Sequence, residues 1–87
     1  MKQWRHLFRD IILERGISYY RSNKVSKIEK DRNCYHAVVK GEQNYDVRIL
    51  MRDDRILDAY CDCPYYVKGE LCKHIAATLL KIEKLEK

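Results

Sequence analysis

The chain has few of the residues that interrupt regular structure, since its 87 residues include one proline and three glycines. No apolar run approaches the roughly 20 residues of a membrane-spanning helix, and no apolar signal segment follows the N-terminus. Four cysteines are too few for a disulfide scaffold. We therefore expect one cytoplasmic domain that has neither a membrane nor a small-molecule substrate as its partner.

The densest chemistry in the sequence is a group of three cysteines and one histidine within residues 61–74. The first two cysteines follow a strand-like run, and the third precedes the histidine at the start of an apolar, helix-like run. Three thiolates and one imidazole are ligands that tetrahedral zinc takes in a closed, structural site. The pattern predicts one structural zinc ion with four ligands: Cys61, Cys63, Cys72 and His74.

The spacing within each pair determines how it can reach the ion. Residues at i and i+2 of an extended chain face the same side, so Cys61 and Cys63 can both face one ion at the end of a strand. On a helix the same spacing separates two side chains by about 200°. We therefore expect Cys72 to cap the helix and His74 to lie in its first turn, with Gly69 in the preceding tight turn.

Other interpretations of these residues remain open at this point. A disulfide from Cys61 to Cys72 would require an oxidising compartment, and buried cysteines also occur simply as small apolar residues. A catalytic zinc keeps an open position beside about three protein ligands, whereas this motif offers four. The sequence thus favours a structural metal site in a protein that is not an enzyme.

The same residues resemble the SWIM-type zinc finger, whose pattern is Cys-x-Cys, a variable spacer and then Cys-x-His. The resemblance covers most of residues 15 to 82 and rests on these segments: Arg15-Gly16-x-x-Tyr19-Tyr20, Val25, Tyr45-x-Val47-x-Ile49, Cys63-Pro64 and Cys72-Lys73-His74. Asn23 stands where glycine is expected, and asparagine also tolerates the left-handed backbone of such a turn.

This family occurs in bacterial SWI/SNF-type helicases and their associated proteins, in MuDR-like transposases and in some ubiquitin ligases. The resemblance therefore implies a zinc-binding module that contributes DNA or protein contacts, within or alongside a helicase of the SWI/SNF type. The alternative is a module that binds proteins and has no affinity for nucleic acid.

Residues 1–24 are predicted to be helical. Apolar residues recur at i, i+3, i+4, i+7 and i+8, as on an amphipathic helix: Trp4, Leu7, Phe8, Ile11 and Ile12. Because glycine commonly ends a helix, we expect this one to stop at Gly16. Ser18 would then cap a short further turn that carries Tyr19 and Tyr20, and these tyrosines are expected in the core rather than stacked on nucleotides.

Residues 25–60 change to a period close to two, with turns at regular intervals. Strands are predicted at 25–30, 35–40, 45–51 and 56–60. Short consecutive strands joined by tight turns form an antiparallel meander with helices on one face. The predicted fold class is α+β: a meander of about four strands, flanked by an N-terminal amphipathic helix and a C-terminal helix and stapled by one zinc ion.

Residues 61–87 combine the zinc finger with the C-terminal helix. One helix face is apolar and should dock on the sheet: Ile75, Leu79 and Ile82. The opposite face holds Ala77 and three lysines, which are the candidate nucleic-acid contacts: Lys73, Lys81 and Lys84. The net charge of +5 falls by one when three thiolates bind a divalent ion, so the chain stays basic. That excess permits DNA contact without establishing it, and solvated lysines are the plainer interpretation.

Cys34 and His36 repeat the Cys-x-His spacing within a predicted strand. No second pair of ligands lies near them in the sequence. We expect a free, partly buried thiol and a surface histidine here, and not a metal site.

Overall fold

The computed structural model describes residues 3–64, 66 and 71–86. A 3₁₀ turn at Arg5–Leu7 precedes two helices and four strands, in this order: α1 (Asp10–Arg21), β1 (Val25–Asp31), β2 (Cys34–Lys40), β3 (Asn44–Arg52), β4 (Arg55–Cys61) and α2 (Lys73–Leu85). The strands form one antiparallel sheet in the order β1-β2-β3-β4. The predicted α+β meander with a helix at each end is confirmed. Gly69 lies outside the described residues.

The strands follow the alternation in the sequence to within one residue at each end. In β3 every second residue is buried from Tyr45 to Met51, and the residues between them are exposed. A strand with this pattern places one face in the core and the other in water. At the β3–β4 turn Asp53 and Asp54 both have positive φ, of 53° and 63°, as a tight hairpin requires. Asn23, between α1 and β1, also has the predicted left-handed backbone, with φ of 57°.

The helix that was predicted to stop at Gly16 continues to Arg21, so that prediction is wrong, and Ser18 starts no new turn. Gly16 is buried inside α1 because α2 crosses it there. A Cβ on Gly16 would lie 2.5 Å from the Cβ of Ala76 and 3.2 Å from the carbonyl oxygen of Lys73. The glycine therefore serves the close approach of two helices and does not end one.

The prediction of one continuous apolar face along a single N-terminal helix is also wrong. Phe8 and Arg9 both have extended backbones, which separate the 3₁₀ turn from α1. Trp4, Phe8 and Ile12 are buried as expected, whereas Leu7 and Ile11 are half exposed. The break in the helix changes which residues share a face.

Helix α2 is the central packing element. It contacts α1 and all four strands, while α1 packs chiefly on α2. The N-terminal segment is fixed to the far end of α2, because Trp4 Nε1 donates to a carboxylate oxygen of Glu83 at 3.2 Å and Arg5 pairs with the other oxygen at 2.8 Å. Of the two helices that were expected to cover the sheet, α2 does so directly. Within the described residues, neither helix has the length and apolar character needed to cross a membrane.

Candidate metal centre

The four predicted zinc ligands meet between the end of β4 and the start of α2. Cys61 is the last residue of β4 and Cys63 follows it by two, whereas Cys72 is the N-cap of α2 and His74 lies in its first turn. All four side chains are buried, and one ligand atom from each lies within 4.8 Å of the others. The predicted arrangement of both pairs is therefore present in the structure.

The first pair is oriented by Asp62, which lies between the two cysteines. The backbone N–H of Asp62 donates to the carbonyl oxygen of Asp46 at 3.3 Å, and the backbone N–H of Asp46 donates to the Asp62 carboxylate at 3.0 Å. These bonds hold the chain on β3 after β4 has ended. Because Asp62 is exposed, its neighbours Cys61 and Cys63 face inward. This contact could not be predicted from the sequence, because nothing there indicates that Asp46 and Asp62 lie side by side.

The second pair is oriented by α2 and two tyrosines. Cys72 has an extended backbone as the N-cap, and its sulfur lies within 4.8 Å of the ligand nitrogen of His74. The imidazole of His74 stacks on the ring of Tyr45, with 4.4 Å between centroids, and meets the edge of Tyr19 at 5.4 Å. Its Nδ1 lies 3.8 Å from the Cys61 sulfur. His74 therefore turns Nδ1 toward the thiols.

Three buried sulfurs this close together influence one another's ionisation. The pKa of the Cys72 thiol is lowered to about 4, first by its hydrogen bond with Cys61 and then by its contact with His74. The same hydrogen bond, followed by burial, raises the pKa of Cys61, and burial raises the pKa of Cys63. One thiolate is thus favoured at the expense of the other two. A divalent cation is what allows all three to be ionised together.

The size of the cluster also fits zinc. Zinc–sulfur and zinc–nitrogen bonds of about 2.3 and 2.0–2.1 Å place tetrahedral ligand atoms about 3.6–3.8 Å apart. The distance of 3.8 Å between Cys61 Sγ and His74 Nδ1 agrees with this value. All four cysteines are free thiols, so the disulfide from Cys61 to Cys72 is not formed. The fold and the site together define a small α+β domain with a closed, structural zinc centre.

Comparison with known families agrees with this class. The SWIM zinc finger model matches residues 45–83, from β3 to the last turns of α2, and the match includes all four ligands. Neither the curated proteins nor the solved structures gave a match. Residues 45–83 therefore resemble a SWIM zinc finger, and the four buried ligands fit one structural zinc ion, as the sequence pattern indicated. The similarity inferred for residues 15–44 lies outside the matched segment.

Cys34 and His36 are separate from this centre. Cys34 is a partly buried free thiol, as predicted. His36 is exposed and lies 3.4 Å from the carboxylate of Asp46. Neither belongs to the metal-binding group found among the described residues.

The three candidate lysines do not share one open surface. Ala77, in the middle of their helix face, is fully buried where α1 crosses α2. Lys84 is exposed, whereas Lys73 and Lys81 are partly buried. The ammonium group of Lys73 lies 4.9 Å from the centre of the Tyr19 ring, and Lys24 lies 5.4 Å from the same ring. Lys24 was not among the predicted contacts, because only the folded chain brings it and Lys73 to the same ring.

Proposed function

We propose that this protein is a zinc-stabilised binding module that contacts nucleic acid, DNA in the first place, near the zinc end of α2. The observation that carries the proposal is the position of Lys24 and Lys73, whose ammonium groups both lie within 5.4 Å of the centre of the Tyr19 ring. Cationic groups beside an aromatic ring are typical of surfaces that hold a nucleic-acid strand. The N-terminus of α2 carries a partial positive charge, which favours a phosphate at the same end.

The role of zinc in this proposal is structural. Zinc bound at this centre supplies folding free energy, on the order of 10 kcal/mol in small zinc domains. It connects the end of β4 to the start of α2, and so fixes the helix that carries Lys73 and the candidate contacts Lys81 and Lys84. Four protein ligands leave no open coordination position for a reacting water. We therefore expect no zinc hydrolase activity.

The proposed contact is weak and insensitive to base sequence. Three thiolates and one zinc ion give the centre a net charge of −1, which reduces the positive potential around Lys73. Binding that depends on a few phosphate contacts has dissociation constants of about 10⁻⁴–10⁻⁶ M at physiological salt. Association with a SWI/SNF-type helicase is part of the proposal, and the resemblance of residues 15 to 82 supports it.

The test is a salt series with labelled single-stranded and duplex DNA, followed by fluorescence anisotropy. Each lysine that contacts a phosphate should lower the log–log salt slope by about one when it is changed to alanine. The variants are Lys73→Ala, Lys81→Ala, Lys84→Ala and the triple variant, each checked for one bound zinc per chain. Lys27→Ala is the matched control, because Lys27 is an exposed lysine of β1.

Two results would contradict the proposal. The first is the absence of measurable binding at low salt. The second is a triple variant with the parent's affinity and slope, which would make these lysines ordinary solvated residues. Both results favour the second candidate, a module that binds only proteins. Leu7, Ile11 and Leu85 support that candidate, since each is at least half exposed despite its apolar side chain.

A further inference from the structure

One buried nitrogen atom at the metal centre makes no hydrogen bond within the described part of the chain. His74 Nε2 is buried and has no hydrogen-bond partner among the described residues. Its other nitrogen, Nδ1, faces the thiols. When an imidazole binds a metal through one nitrogen, the other nitrogen carries the hydrogen, and it usually donates to a carboxylate or a carbonyl oxygen. Among the described residues, His74 Nε2–H is therefore a donor without an acceptor.

A pocket of about 330 Å³ adjoins this histidine and is lined in part by Tyr19, Tyr45 and Lys73. Gly41 leaves space beside the unused nitrogen. A Cβ on Gly41 would lie 3.5 Å from His74 Nε2, 3.5 Å from the Tyr19 hydroxyl and 3.0 Å from the Tyr45 ring. Two polar groups thus converge on a space that any other residue at position 41 would partly fill.

The charges around the pocket favour an acceptor that is negative. Lys73 lines it, and the ammonium group of Lys24 lies 5.4 Å from the centre of the Tyr19 ring, which also lines it. The N-terminus of α2, a helix of 13 residues, adds a partial positive charge. Glu42 also lines the pocket and opposes an anion there, but its side chain is exposed and can turn into solvent. The hydrogen-bond donors and positive charges around the pocket therefore suit an oxyanion.

We infer that this pocket binds a backbone phosphate of a single-stranded nucleic acid. His74 Nε2–H and the Tyr19 hydroxyl donate to phosphate oxygens, and Lys73 supplies the charge. A single strand can bend to place one phosphate in a concave site, which a stiff duplex does less readily. The inference rests on the proposed nucleic-acid binding and gives it a definite site.

The test uses zinc-loaded full chain and an oligothymidine probe, with two variants that change the pocket and no zinc ligand. Gly41→Ala fills the space beside Nε2, and Tyr19→Phe removes the hydroxyl while keeping the ring. Each should weaken probe binding by about tenfold at unchanged salt slope, because a hydrogen bond to a charged group is lost but no charge is removed. Lys27→Ala, at an exposed position of β1, is the control and should leave the signal from His74 unchanged.

The decisive readout is the proton–nitrogen NMR spectrum of the His74 ring. Addition of the probe should shift the Nε2 resonance in the parent and not in Gly41→Ala, while zinc content stays at one per chain. If the parent binds the probe and the Nε2 resonance does not move, the pocket inference is wrong and the proposed function stands. If the parent binds neither the probe nor duplex DNA at low salt, the proposed function fails, and if it binds duplex DNA alone, only the pocket inference fails. A shift caused by an oligoglutamate peptide and not by the probe would replace the nucleic acid with an acidic protein partner.

Discussion

Gly16 of α1 lies directly against Ala76 of α2, so that a Cβ on Gly16 would come 2.5 Å from the Cβ of Ala76. The same Cβ would lie 3.2 Å from the backbone nitrogen of Ala77 and from the carbonyl oxygen of Lys73. This crossing falls on the first turns of α2, next to the residues that supply two zinc ligands. The packing of α1 therefore helps to fix the helix end that forms the metal centre.

Gly16→Ala should destabilise the protein, although alanine is the better helix former by about 1 kcal/mol. An extra methyl group in a closely packed crossing costs about 1–3 kcal/mol, because the two helices must separate. Urea unfolding of the zinc-loaded protein measures the difference. Ser18→Ala, at an exposed position of the same helix, should be close to neutral. A Gly16→Ala variant that is more stable than the parent by about 1 kcal/mol, the full gain in helix propensity, would mean that the helices do not cross this closely.

Most of the fold could be predicted because it depends on local periodicity. The alternation from Tyr45 to Met51 defines β3, and the spacing of Cys72 and His74 defines the start of α2. The role of Gly16 could not be predicted in this way. A glycine that ends a helix and one that admits a second helix have the same local sequence, and only the tertiary crossing distinguishes them.

The metal centre could likewise be predicted only in part. Its four ligands could be predicted from residue types and spacing alone. The groups that orient them come from distant parts of the chain: Asp46 holds Asp62, while Tyr19 and Tyr45 hold the ring of His74. Such contacts follow from the register of β3 against β4 and from the position of α1. Neither is encoded in a short motif.

Removal of zinc should release α2 from the sheet. Without the ion the three buried sulfurs cannot all stay ionised, so the bonds that join β4 to α2 are lost, and the free energy that zinc supplies to small domains is on the order of 10 kcal/mol. Trp4 is a sensitive reporter, because it is buried and bonded to Glu83 of α2. Chelation should therefore reduce the helical circular dichroism and shift the emission of Trp4 to the red. Unchanged spectra after complete removal of zinc would contradict a structural role for the ion.

Cys72→Ser should lower zinc affinity far more than Cys34→Ser. Serine at position 72 replaces a thiolate ligand with a hydroxyl group, whereas Cys34 lies outside the metal-binding group and makes only a weak contact with a backbone carbonyl. Competition with a chromogenic chelator measures both affinities under the same conditions. Cys34→Ser serves as the matched control, and an equal loss in both variants would mean that the ligand assignment is wrong.

A pH-dependent contact joins β2 to the end of α2. The hydroxyl of Tyr35 donates to a carboxylate oxygen of Glu86. Burial first, and then this hydrogen bond, raise the pKa of Tyr35 from 10.0 to about 12. A raised pKa means that the folded chain favours the neutral phenol of Tyr35. In the unfolded chain the same phenol ionises at a lower pH. The stabilisation is therefore complete below pH 10 and is lost as the pH rises toward 12.

Tyr35→Phe should remove this alkaline loss of stability. Below pH 10 the variant should be less stable by about 1 kcal/mol, since it lacks the hydrogen bond. As the pH rises, the difference between parent and variant should shrink, because the parent loses its advantage when the phenol of the unfolded chain ionises. Urea unfolding from pH 8 upward, with zinc content verified at each pH, gives both free energies. Tyr60→Phe is the control, since Tyr60 is half exposed and its removal should leave the pH dependence unchanged. A constant difference between the parent and Tyr35→Phe across this range would show that Tyr35 ionises alike in the folded and unfolded chains.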